Sequence, residues 1–434
     1  MNPSRRRLLQ ALGLGLAGSA GWLPRSGRAE TPRPPQLGEA RLLRRWVTGN
    51  SRLAPVTLIP APDRDGNRDH SPVPSPGRNF AISPEGPRYA SPASSADAAP
   101  TVSDVGSYPS SPAALAAARL LFAGETTLGL VDPTVAEALW QRPHHLPGGA
   151  VFRPRATADT LLGAGRGALG VWGLANGEPR WRREAQRQFG VPALTAEAIF
   201  VGDGHELLAL DLASGVPRWR FAAVADTQIS YAPAVTRDKV LVGPGDGRLY
   251  ALDRHSGQLL WERHRAEDWK YLRQLHLASE DLLVAGGYTE KLYGIDLRGG
   301  ELRWTFNAGN FINSHHLSGD GAFLWSPTGW IYALDVYSGE VRWRHRTTAY
   351  RGEAQEWAPL MAELASADGR LFALDMNSVL HVLDLENGEE LARFPLAPVQ
   401  PFVTPLSGQE IAVGSREGEL WLLALEGPAS ASLG

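Results

Sequence analysis

The chain contains no cysteine among its 434 residues. This excludes a disulfide framework, a thiolate metal site, covalent haem attachment through paired cysteines and a lipid-modified N-terminal cysteine. Lysine is nearly absent as well. It occurs only at Lys239, Lys270 and Lys291, so arginine supplies almost all of the 43 basic residues. The formal net charge of −3 leaves no basic footprint for nucleic acid. No apolar run is long enough to anchor the chain in a bilayer. Three familiar chemical signatures are also missing: G-x-S-x-G, a phosphate-cradling glycine loop and H-E-x-x-H.

What is present begins with an address. Residues 1–29 read as a signal peptide: Arg5, Arg6 and Arg7 precede a short, glycine-rich apolar stretch from Ala11 to Ala20, and Gly27-Arg28-Ala29 offers the cleavage site. The opening resembles the twin-arginine export signal, with Leu8 and Gln10 at two of its variable positions. The resemblance implies a mature protein that works in the periplasm. Residues 30–50 contain Leu43-Arg44-Arg45-Trp46-Val47, a strand-like run. Residues 51–112 follow with 12 prolines among Ser, Ala and Asp, and read as a disordered insertion because their apolar residues show no periodicity.

From 113 to 426 the chain repeats itself, leaving 427–434 as a tail. Ala251 to Trp261 reads ALDRHSGQLLW, and close copies run from Ala209 to Trp219, Gly294 to Trp304 and Ala333 to Trp343. Degenerate copies end at Trp140 and Trp181, and another passes through Asp384 and Gly388 with Ala392 in the tryptophan slot. Each period of about 40 residues holds four short β-type runs, which is one propeller blade. Third-strand runs around Leu128, Leu169, Leu208, Leu249, Leu292, Ile331, Val382 and Leu420 number eight, so an all-β, eight-bladed β-propeller is expected, with seven blades as the alternative. The last copy lacks an outer strand, and an open ring would leave a sticky edge, so Leu43–Val47 is expected to close it. That order places the proline-rich insertion between the closing strand and blade one.

Each repeated residue has a mechanical role. The Asp accepts backbone amides of the turn, the Gly supplies a positive φ, and the Trp docks on the neighbouring blade. Their repetition therefore locates no active site. The pattern A-x-D-x-x-S/T-G-x-x-x-W resembles the tryptophan-docking repeat of the quinoprotein (PQQ-like) β-propeller superfamily. One branch of that superfamily contains alcohol dehydrogenases that hold PQQ and Ca²⁺ over the ring axis; another, the BamB branch, is cofactor-free and belongs to outer-membrane assembly. The dehydrogenase branch carries an adjacent cysteine pair that this chain lacks, and the chain's size resembles the BamB branch. BamB itself is lipid-anchored through a cysteine, which this chain cannot be.

These resemblances imply a soluble, monomeric periplasmic module that binds envelope proteins, without cofactor, nucleic acid or membrane anchor. The alternative is a quinoprotein oxidoreductase, or a redox accessory protein, with PQQ and calcium over the channel. Functional groups are sought on the connections from each outer strand to the next inner strand, which share one face of the ring. Asp268, Lys270, Arg273 and Arg351 are candidates for an acidic or quinone-like ligand. Trp269, Tyr271, Glu356 and Trp357 are candidates for a partner surface. His144 and His315 are weak candidates for a metal, since neighbours in extended chain point to opposite sides and each His-His pair offers one ligand.

Overall fold

A computed structural model of the protein describes residues 36–60 and 118–427, apart from 271, 288–289, 310–311, 313, 327 and 348–363. The signal-peptide, proline-rich and C-terminal expectations thus fall outside the described residues, as do Tyr271, Arg351, Glu356 and Trp357. Within them the chain is all-β and forms eight sheets arranged as an eight-bladed propeller. Blade three shows the pattern: Ala193–Leu194 lies innermost, followed outward by Ala198–Asp203, Glu206–Asp211 and Pro217–Ala222, each antiparallel to the last. The second and third strands are nearly continuous apolar runs buried along their length, as Ala198–Asp203 and Glu206–Asp211 show, so both faces of the sheet pack against neighbouring blades. One hydrophobic cluster fills each seam; that between blades three and four contains Phe200, Trp219, Val240 and Tyr250.

The repeat residues connect one blade to the next. Asp253 accepts the amides of His255 and Ser256 at 3.1 and 2.7 Å, which fixes the turn between the third and fourth strands. Gly257 ends that turn at φ +71°, where a side chain is disfavoured, and a Cβ there would sit 2.6 Å from the ring of Trp219 in blade three. Trp219 Nε1 in turn donates to the Arg254 carbonyl at 2.9 Å. The same indole-to-carbonyl bond recurs from Trp140, Trp181, Trp261, Trp304 and Trp343 to the following blade, at 2.9–3.4 Å. The Gly thus serves twice, as a turn former and as the flat seat for the neighbour's indole. The Arg before the Trp has a role too, since Arg218, Arg303 and Arg342 bind the turn carboxylates of Asp211, Asp296 and Asp335 at 2.6–2.9 Å. These arginines hold the carboxyls of Asp211 and Asp335 down to about 2.

The ring is completed by the N-terminal segment in three places. Glu39–Val47 pairs antiparallel with Glu419–Glu426 as the outer strand of blade eight. Thr57–Pro60 forms the innermost strand of blade one, with Thr57 opposite Leu121 and Pro60 opposite Ala118. Gln36–Leu37 adds a parallel fifth strand to the edge of blade seven, opposite Ala392 and Arg393. That strand lies against the one copy without a docking tryptophan, and Gly38 packs so closely on Phe394 that a Cβ would meet its ring at 2.2 Å.

One boundary needs correction. Leu53, Ala54 and Val56 are buried in the core, so the ring already includes residues expected to belong to the insertion. The proline-rich stretch enters after Pro60 and ends before Ala118, inside the first hairpin of blade one, not between the closing strand and that blade. The physical reason is that Leu53 before Pro55, and Val56 and Leu58 after it, pack into the seam between blades eight and one, and a proline is tolerated where a strand ends.

Candidate functional site

Successive strands are antiparallel, so the connections between blades and the hairpins between second and third strands share one face, and the Asp-to-Gly turns occupy the other. On the connector face, hairpins of blades two and four and the connections that lead into blades two, three and four surround a depression of about 580 Å³. Its walls include Phe152, Arg166, Val191, Asp226, Ser230 and Tyr231. Arg166 sits at the tip of the blade-two hairpin, where blade four carries Asp246-Gly247. Asp226 to Tyr231 form the connection from blade three to blade four.

That connection is held firmly. Ile229 is fully buried, its amide donates to the Gly204 carbonyl at 2.8 Å, and the Val191 amide donates to the Ser230 carbonyl at 3.0 Å. Gly190 and Gly202 allow this approach, because a Cβ at either would lie 2.2 Å from the Ile229 carbonyl. Gln228 is fixed by Gln188 at 2.9 Å. Against this rigid floor, the exposed Arg166 and Asp226 side chains have no ion-pair partner among the described residues, and Asp226 adopts φ +67°. The lining offers one cation, one anion, hydroxyls and an aromatic face. That mix of groups suits contact with a mixed polar and apolar segment.

The residues picked out by sequence land elsewhere. Trp269 is completely buried in the seam between blades four and five, edge-on to Tyr293 at 6.1 Å with Arg265 over its ring at 5.6 Å. It therefore presents no indole surface to a partner, and its position in a short 3-10 turn, Ala266–Trp269, explains why it points inward. Asp268 is engaged by Lys291 at 2.7 Å, and its carbonyl accepts the Tyr293 hydroxyl at 3.0 Å. Lys270 is exposed on the same turn, and Arg273 lies in the inner strand Leu272–Ser279 of blade five.

Both candidate metal histidines are buried among backbone groups. His144 Nε2 meets the Gly124 carbonyl at 3.1 Å while Nδ1 accepts the Leu146 amide at 3.0 Å, which occupies both nitrogens. Burial pushes its pKa down. His315 bonds the Val284 carbonyl at 3.3 Å and stacks on His276 at 4.4 Å; burial holds it neutral. Among the described residues no three His, Asp or Glu side chains gather as a metal site would require.

A second polar cluster was not anticipated. In the seam between blades six and seven, His381 Nδ1 and Glu390 Oε1 are 2.6 Å apart, His345 Nε2 lies 3.2 Å from Glu390 Oε2, and Arg393 grips the same carboxylate at 2.6 and 2.7 Å. Asp375 lies 3.7 Å from His381 Nε2. Burial lowers the affinity of His381 for a proton, but Asp375 and Glu390 outweigh it and its pKa is raised. Burial raises that of Glu390, but His345, His381 and Arg393 hold it well below the usual range. The signal for this cluster is positional. His381 occupies the slot filled by Tyr250, Tyr293 and Tyr332 in other copies, and Glu390 stands where Leu259, Leu302 and Val341 do. Both fall in the copy with Ala392 in place of the tryptophan.

A ring of eight blades, six of them docked on the next through a tryptophan, defines a PQQ-like β-propeller. Comparison with known proteins places it further. A family model described as outer membrane protein assembly factor BamB matches residues 165–311 and 327–427, and the chain belongs to that family. The BamB of Legionella pneumophila is 26% identical over 44% of this chain and half of its own length, and that of Bordetella pertussis 25% over 64% of this chain and 73% of its own. The chain thus spans about half of the first relative. The crystal structure of BamB from Moraxella catarrhalis shares the fold, with a TM-score of 0.56 at 18% identity over 74% of this chain and 94% of that one.

Proposed function

We propose that this protein is a periplasmic, protein-binding scaffold of the BamB type that takes part in assembling outer-membrane proteins, exported by the twin-arginine route and working without a lipid anchor. The observation that carries this reading is the depression on the connector face, where Arg166 and Asp226 have no ion-pair partner among the described residues and stand on a rigid floor, whereas Asp268 and Asp246 are engaged by Lys291 and Arg248. A rigid, mixed-polarity surface binds a protein segment at low entropic expense, because little of it must be ordered on contact. Family membership supports the same class of partner, and the absence of cysteine supports a free chain. In this reading no cofactor occupies the channel, and Asp268, a candidate for holding one, is already engaged by Lys291.

The test is photocrosslinking in the periplasm from Gln228, with Ser256 on the opposite face as the control position. An adduct with an envelope assembly protein is expected from Gln228 alone, and it should vanish in Arg166→Glu. Equal adducts from both positions would overturn the assignment of this face. Saturable, Ca²⁺-dependent uptake of PQQ with a rise in melting temperature would overturn the cofactor-free reading and favour the oxidoreductase.

A further inference from the structure

The outermost strand of every blade leaves a row of backbone groups unpaired, which is a template for another strand unless it is guarded. Most edges of this ring are guarded. Blades one, two and three place Pro143, Pro179 and Pro217 in their outer strands, Ala138–Pro143, Pro179–Glu184 and Pro217–Ala222. Blade seven is covered by the chain's own Gln36–Leu37, and this shows that an outer edge of the ring accepts an added strand. In blade eight Arg41 and Arg45 pair with Glu426 and Glu419, and in blade four Arg263 pairs with Glu301. The outer strand of blade five, Leu302–Asn307, has one charge, Arg303, which is held by Asp296.

Blade six differs in its charges. Its outer strand Val341–Arg346, like those of blades four and five, contains no proline, and no strand among the described residues pairs with its free edge. Arg344 and Arg346 are exposed, lie opposite Tyr332 and Trp330, and stack on the Trp330 ring at 4.7 and 5.6 Å. Neither has a carboxylate partner among the described residues, whereas Arg342 on the same strand is held by Asp320 and Asp335. Two guanidinium groups are thus held side by side on one indole, two residues apart on a strand, with no carboxylate on their donors among the described residues.

We propose that the outer edge of blade six docks an acidic, extended segment of a partner protein, which adds as a fifth strand and sets carboxylates at positions i and i+2 against Arg344 and Arg346. The alternation of a strand delivers both carboxylates to one face, and backbone pairing along Val341–Arg346 supplies the register. The inference rests on this edge alone and is independent of the depression on the connector face.

The probe is the peptide acetyl-Thr-Val-Glu-Val-Asp-Val-Thr-amide, titrated calorimetrically into the full mature chain at 50 and 300 mM salt. Saturable binding is expected, weaker at high salt, and at least tenfold weaker in Arg344→Gln/Arg346→Gln. Arg182→Gln, which removes an exposed charge from the proline-guarded edge of blade two, should leave it unchanged. The Gln/Asn version of the peptide and a backbone N-methylated version should both fail to bind. Absence of saturation at millimolar peptide would overturn the proposal, and so would equal loss in Arg182→Gln or retained binding of the N-methylated peptide. Binding of anionic phosphatidylglycerol vesicles through the two arginines without peptide binding would replace it with a membrane contact.

Discussion

If the glycine of each turn is the seat for the preceding blade's indole, then Gly257 and Trp219 must be energetically coupled. Gly257→Ala places a methyl 2.6 Å from ring carbons of Trp219 at a φ of +71°. The left-handed backbone costs about 1–2 kcal/mol for a residue with a Cβ, and displacing a packed ring costs about 1–3 kcal/mol more. Trp219→Ala removes an indole that is 9% exposed, with its bond to the Arg254 carbonyl, and costs about 3–5 kcal/mol. In the double variant the methyl has nothing to strike, so only the backbone part of the glycine effect survives. The pair should therefore fall short of additivity by about 1–3 kcal/mol. The assay is urea unfolding of wild type, both single variants and the double variant, followed by far-ultraviolet circular dichroism. Additivity within about 0.5 kcal/mol would refute the docking account and leave the glycine as a turn former only.

Three further outcomes follow from the same structure. The His381–Glu390 seam should be most stable between pH 4.5 and 6.5: the raised His381 contributes fully below its unfolded 6.5 and loses this as pH rises through its folded value, while the depressed Glu390 contributes above 4.5 and loses this as pH falls. Thermal melts from pH 4 to 9 should show the alkaline decline, and His381→Gln should cost about 1–3 kcal/mol and flatten it, since it removes a charged hydrogen bond from Glu390 while Arg393 keeps its grip. Asn50, whose Oδ1 accepts the Thr126 and Thr127 amides at 2.8 and 3.0 Å where the ring closes, should cost about 1–3 kcal/mol when changed to Ala, measured by denaturant unfolding. Trp269→Ala should lower stability by about 3–5 kcal/mol, whereas Lys270→Ala should leave it within about 0.5 kcal/mol, as melting of both variants would show.

The repeat made the architecture legible because its residues act locally. An Asp two or three residues from the amides it binds, a Gly at positive φ and a Trp at a constant offset are all fixed by spacing along the chain. Blade count and fold class could therefore be read directly. The candidate site was much less legible. The connection from Asp226 to Tyr231 lies on the face shared by the inter-blade connections, but Arg166 joins it from a hairpin some sixty positions earlier, and nothing in its neighbours marks it. Trp269 misled for the converse reason: a tryptophan outside the docking slot in a polar connector reads as exposed, yet a short turn folds it under Arg265 into a seam.

What the sequence determined by itself was the repeating unit: four strands, a turn and a docking indole, each encoded within about forty residues. Whether a given polar side chain is spent on that framework or left to bind depends on what the adjacent blade brings to it, and that is a matter of contacts between distant segments. Asp268 is engaged by Lys291, His345 of blade six reaches Glu390 of blade seven across a seam, and Arg344 and Arg346 have no carboxylate partner among the described residues. The folded ring decides those pairings, because burial and ion-pair geometry come from contacts between separate strands and blades and not from spacing along the chain.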